Sequence, residues 1–108
     1  MKRTELAANP DYFNRYINLV EDIDLFDAFN ESIDQIDMLD IDLLKKIGLK
    51  TYLPDKWTIH EIFQHITDVE RLLISGTLRF VREENNFVIS FDEIAMVRYS
   101  KANTRDYP

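Results

Sequence analysis

The chain has 108 residues, 45% of them hydrophobic and 12% aromatic, a globular composition with room for one domain and one modest core. Thirteen basic against 20 acidic side chains leave a net charge of −7 with no basic patch, so a nucleic-acid backbone is not an expected partner. The absence of cysteine excludes disulfides, thiolate metal sites and cysteine nucleophiles within the chain and is compatible with a cytoplasmic protein.

With only two glycines and three prolines, the sequence favours long helices over many short strands, and the expected fold class is all-α. Asn9-Pro10-Asp11 reads as a helix start: a capping Asn, Pro at the first helical position and an acid in the first turn. Tyr12, Phe13, Tyr16, Ile17 and Val20 follow at helical spacing, which predicts a short helix to about Val20. Asp24 is a candidate cap for a longer amphipathic helix whose apolar side carries Leu25, Phe26, Phe29, Ile33 and Ile36. Residues 40–47 either extend this helix or form a separate turn, and Gly48 is the expected stop.

Leu49 to Lys56, with Pro54, reads as a loop. Thr58 and Glu61 then have the spacing of a capping box and predict a second long helix to about Arg82, with Ile59, Ile62, Ile66, Val69, Leu72, Leu73, Phe80 and Val81 on its buried side. Phe87-Val88-Ile89 looks extended. The Ser90 and Glu93 spacing repeats the capping-box pattern and predicts a short helix from Phe91 to about Tyr99, before a polar tail, residues 100–108, that is expected to fray. No stretch approaches the ~20 apolar residues of a membrane span, and Met1-Lys2-Arg3 is not followed by the apolar run of a signal peptide.

The chemistry-bearing residues lie on the second long helix. At about 100° per residue, His65 falls with Ile62, Val69 and Leu72 on the inward side. It is a candidate metal ligand, with a hydrogen-bonded core histidine as the plain alternative. His60 lies about 140° away on the expected solvent side, and the five-residue spacing of the two cannot grip one ion from one helix face. Glu70 sits among Phe63, Ile66, Leu73 and Ile74 on the wheel, so its carboxylate is expected to need a partner or to support a ligand. Asp68 lies one turn beyond His65 near the polar edge, a possible ligand or a solvated acid. The acids between Asp22 and Asp42 lack the third oxygen ligand and the loop glycine of a calcium-binding EF-hand.

Lys56-Trp57-Thr58-Ile59 followed by Glu61, then His65-Ile66-Thr67-Asp68-Val69-Glu70-Arg71, resembles the hallmark of the DinB-like superfamily. Leu78-Arg79-Phe80-Val81-Arg82, Phe91-Asp92-Glu93, Ser100-Lys101-Ala102-Asn103 and the upstream Arg15-Tyr16-Ile17-Asn18-Leu19-Val20 fit in register, so the resemblance covers nearly the whole chain. It implies a four-helix bundle holding a divalent metal, commonly nickel or zinc, in proteins that include metal-dependent hydrolases and transferases of small thiols. Three histidines are the usual ligands. The first stands where His65 stands, and Glu70 and Asp68 become supporting carboxylates; the other two belong to a His-x-x-x-His motif on the last helix.

This chain departs from that pattern. No histidine follows His65, Gly76 replaces a frequent arginine and Met96 a frequent tyrosine, and the chain ends about where a third long helix is expected. It therefore resembles the first two-thirds of a family member or less. Two long amphipathic helices with short ones form a partial bundle that leaves apolar faces uncovered. A homodimer pairing two half-bundles is the expected remedy. The two functional expectations are a metal-binding protein, ancestrally a hydrolase or thiol transferase with an incomplete site, and a non-catalytic helical interaction module.

Overall fold

The computed structural model describes residues 1–7, 11–85 and 90–106. Among them every regular element is helical: α1 (Asp11–Ile17), α2 (Leu25–Asp37), α3 (Ile41–Ile47), α4 (Ile59–Val81) and α5 (Glu93–Tyr99), with 3-10 turns at Arg3–Glu5 and Ala102–Thr104. Among the described residues no helix is long and apolar enough to cross a membrane. The chain divides into two compact units, Met1–Asp40 and Ile41–Pro108. The expected cap at Asn9-Pro10 and the extended segment at Phe87-Val88-Ile89 lie outside the described residues.

In the first unit the acids around residue 23 serve as clips. Asp24 caps α2 by accepting from the Phe26 N–H at 2.9 Å, which satisfies one of the free donors at a helix start. Its other oxygen receives the Met1 ammonium at 2.7 Å, and the Leu25 N–H donates back to the Met1 carbonyl at 3.0 Å. Asp22 accepts from both the N–H and the hydroxyl of Thr4, at 2.9 and 3.0 Å. These contacts lower the carboxyl pKa of both residues below the ordinary 3.8, Asp22 chiefly through the Thr4 N–H and Asp24 chiefly through the ammonium. Helix α1 stops at Ile17 rather than Val20, because Leu19 and Val20 bond back only three residues, to Tyr16 and Ile17. On α1 the Arg15 guanidinium lies over the rings of Tyr12 and Tyr16, 4.8 and 4.7 Å from their centroids.

The second unit settles the alternatives for residues 40–47: α3 is a separate helix. Gly48 ends it at φ +56°, the left-handed position after a helix end that costs glycine nothing. Helix α4 runs for 23 residues from the Thr58 cap to Arg82. Its C-terminus closes as a Schellman motif: the Glu84 N–H reaches the Arg79 carbonyl, and the Glu83 N–H reaches Phe80, both at 3.0 Å. Glu83, at φ +55°, occupies the position that glycine usually takes.

Helix α5 begins two residues later than its sequence pattern predicts. Asp92, not Ser90, is the cap, accepting from the Ala95 N–H at 3.0 Å. Both residues carry a capping side chain, but only Ser90 has a Glu three residues on; the helix starts at Asp92 with a single side-chain cap and no reciprocal box. Helix α5 and the Ala102–Thr104 turn pack against α4, with Leu44, Val97 and Ala102 as the buried apolar residues of this unit. The tail therefore does not fray over residues 100–104. The Ser100 hydroxyl donates to the Val97 carbonyl and accepts from the Ala102 N–H, Lys101 turns the chain at φ +56°, and the Arg105 guanidinium donates to the Ser100 carbonyl at 2.6 Å.

Candidate functional site

The N-terminus of α4 is the best-organised polar site in the second unit. Thr58 has extended backbone and is only 6% exposed. Its hydroxyl accepts from the Glu61 N–H at 3.2 Å, while its own N–H donates to Glu61 Oε2 at 2.8 Å, so the capping box expected from the spacing forms in both directions. Asn103 then joins from the tail. The Thr58 hydroxyl donates to Asn103 Oδ1 at 2.6 Å, and Asn103 Nδ2 donates to Glu61 Oε1 at 3.1 Å. Three side chains thus close a ring in which both carboxylate oxygens, the hydroxyl and both ends of the amide are used. A carboxylate only accepts, which fixes the amide's orientation.

Trp57, just before the cap, lays its ring against His65, with centroids 4.8 Å apart and planes tilted by 48°. Both residues are half-buried, and neither nitrogen of His65 has a hydrogen-bond partner among the described residues. The expected alternative, a histidine hydrogen-bonded to a neighbouring helix, is therefore not what these residues make. Of the residues the wheel placed beside it, Ile62 and Val69 are half-buried, whereas Leu72 is exposed.

The other expected site residues fall differently. Glu70 is exposed, although its wheel position lies among apolar neighbours. The reason is that the face itself is open: Ile66 is 50%, Leu73 55% and Ile74 65% exposed. A carboxylate there is solvated and needs no counter-ion. Asp68 is not the solvated acid of the expectation. Its side chain is 21% exposed, accepts from Gln64 Nε2 at 2.8 Å and pairs with Arg71 at 3.5 Å, both partners on α4 itself. His60 is half-buried rather than on an open solvent face.

Among the described residues no group of three His, Cys, Asp or Glu side chains is placed to share a metal ion. His65 belongs to no such group among the described residues. Further along α4, a groove of about 500 Å³ is lined by Leu72, Gly76, Arg79, Phe80 and Phe91. Its one charged side chain, Arg79, is held by Glu84 at 2.6 and 3.1 Å. The residue that sequence reasoning missed is Asn103, although its motif was in view. Its polar type in a Gly-poor tail reads as solvated, and nothing local signals a contact 45 residues upstream. Compared with protein-family models, curated proteins and solved structures, the chain gives no significant match.

Proposed function

We propose that this chain is a DinB-like helical scaffold that presents His65 as one ligand of a divalent metal, nickel or zinc, with the remaining ligands supplied by another segment or another copy. The observation that carries this reading is the state of His65: a half-buried imidazole, oriented by Trp57, with both nitrogens unpartnered among the described residues. A bound metal in a protein of this kind acts as a Lewis acid or activates water or a thiol. The described side chains bind and orient; no bond-making step follows from them alone, and hydrolase or thiol-transferase activity is the ancestral reading that the motif resemblance suggests.

The test is metal content. Purified protein dialysed against excess nickel or zinc, then freed of loose ion, should retain metal in proportion to protein, and His65→Ala should lose it. Equal retention by the variant, or none by the wild type at saturating ion, refutes the reading for this chain.

A second reading, a helical module that self-associates, is favoured by a separate observation. Ile66, Leu73 and Phe80 recur every two turns of α4, span about 21 Å and are half to four-fifths exposed, with Ile74 and Val81 beside them. An exposed apolar stripe of this length is characteristic of an association surface. Sedimentation equilibrium should give a dimer at tens of micromolar, returned to monomer by Leu73→Asp; a folded wild-type monomer at that concentration rules it out.

A further inference from the structure

We propose that Asn103 is a positioning residue for His65, clamping the first turn of α4 from the far end of the chain. The inference rests on the metal-ligand reading for its functional meaning, but its geometry stands independently. A capping box needs only two residues, and Thr58 with Glu61 already complete one. Asn103 adds two bonds that the box does not need: it takes the Thr58 hydroxyl proton and gives its own amide proton to Glu61. These bonds engage the hydroxyl proton of Thr58 and the second carboxylate oxygen of Glu61, the two groups that the box itself leaves to solvent.

Both ends of the Trp57–His65 contact hang from this clamp. Trp57 is the residue before Thr58, so the backbone that carries its ring is the backbone held through Thr58. His65 lies four residues, about one turn, beyond Glu61 and on the same side of α4. If the first turn loosens, the Trp57 ring is released from the imidazole. The tail is built to hold its end rigidly. Ala102 is buried against α4, Lys101 sets a left-handed turn, and the Ser100 hydroxyl bridges the end of α5 to the turn that carries Asn103. A polar residue that served only solubility would need none of this support.

The test uses the full chain and reads the His65 ring itself. Its ring resonances, assigned with His65→Ala, are compared in wild type, Asn103→Ala, Thr58→Ser and Trp57→Leu, well below the melting temperature and with helix content matched by circular dichroism. Asn103→Ala should move the His65 resonances part of the way towards those of Trp57→Leu, because the Trp57 ring current is lost; Thr58→Ser, which keeps the hydroxyl, should leave them in place. Asn103→Ser serves if Asn103→Ala does not fold. Unchanged His65 resonances in the Asn103 variant, whatever its stability, overturn the proposal. Titration with nickel chloride separates the two readings. If wild type binds nickel, Asn103→Ala should bind it roughly fivefold more weakly, the equivalent of one net hydrogen bond. If wild type binds no nickel, the metal reading fails while the ring resonances still decide the clamp. Equal nickel affinity with unmoved resonances overturns the clamp and leaves the metal reading standing.

Discussion

Replacing Thr58 by alanine removes more than an ordinary helix cap. The hydroxyl accepts the Glu61 N–H and donates to Asn103, and the residue is 6% exposed. Loss of a Ser/Thr cap costs about 1 kcal/mol, at the upper end of its range where the cap is buried. Losing the bond to Asn103 adds about 1 kcal/mol, discounted because Asn103 is exposed and its freed oxygen can take water. The sum is about 2 kcal/mol. Trp57 is the single tryptophan and sits beside the cap, so urea denaturation followed by its emission reports on this unit. With an m value near 2 kcal/mol/M, the midpoint should fall by about 1 M while m stays constant. Thr58→Ser should stay within a few tenths of wild type, and Thr58→Val should lose as much as Thr58→Ala. A Thr58→Ala protein within 0.5 kcal/mol of wild type would show that the closed ring contributes nothing beyond solvation, and would remove the physical basis of the clamp.

Three further outcomes follow from the geometry. Glu83→Gly should stabilise the second unit by about 0.5–1 kcal/mol in the same denaturation, because Glu83 holds a left-handed φ of +55° in a Schellman motif that suits glycine; a loss would mean that Glu83 makes a compensating contact. Val97→Ala should cost about 2 kcal/mol, since Val97 is the most buried apolar residue among those described in the unit and two carbons at about 0.8 kcal/mol each leave a small cavity as well; a cost under 0.5 kcal/mol would mean that α5 is not held through it. In the first unit the chain start should loosen at both ends of the pH range. Asp22 and Asp24 have lowered pKa values, so their contribution is full above 3.8 and lost as pH falls through the lowered values; the Met1 ammonium is raised by the hydrogen bond to Asp24, so its contribution is full below 8.0 and lost as pH rises through the raised value. The amide shifts of Thr4, Phe26 and Leu25 followed from pH 2 to 10 should record both transitions, and N-terminal acetylation should abolish the alkaline one and weaken the Asp24 part of the acid one while leaving the Asp22 part at Thr4.

What sequence reading captured was local. The Thr58 and Glu61 box, the Asp24 cap and the Gly48 stop are short-range rules in which one side chain satisfies donors or a backbone angle within four residues, and all three stand where the spacing placed them. The failures are of two kinds. Where a residue matched the spacing rule but a neighbour made the cap, as Ser90 and Asp92 did, the pattern misplaced the helix start by two residues. Where a residue's role depended on a distant partner, as that of Asn103 did, composition gave the wrong environment: polarity read as solvation.

The error over Glu70 has a different origin and says more about the molecule. Its wheel position was correct, as was the apolar character of its neighbours; the unsupported step was that an apolar stripe is a buried one. Periodicity reports which residues share a face, and burial requires something to lie on that face. Along α4 the half-buried residues include His65 with Ile62, Asp68, Val69, Gly76 and Arg79, whereas Ile66, Leu73, Ile74, Phe80 and Val81 are exposed. At about 100° per residue the exposed stripe of Ile66, Leu73 and Phe80 lies roughly 60–100° round the helix from His65. A metal ligand set completed near His65 and a partner seated on the Ile66–Phe80 stripe would approach α4 from different directions. Leu73→Asp and His65→Ala should therefore act independently: the first should alter oligomeric state without releasing metal, and the second should release metal without altering oligomeric state. A Leu73→Asp protein that loses both would show instead that the partner copy supplies the missing ligands.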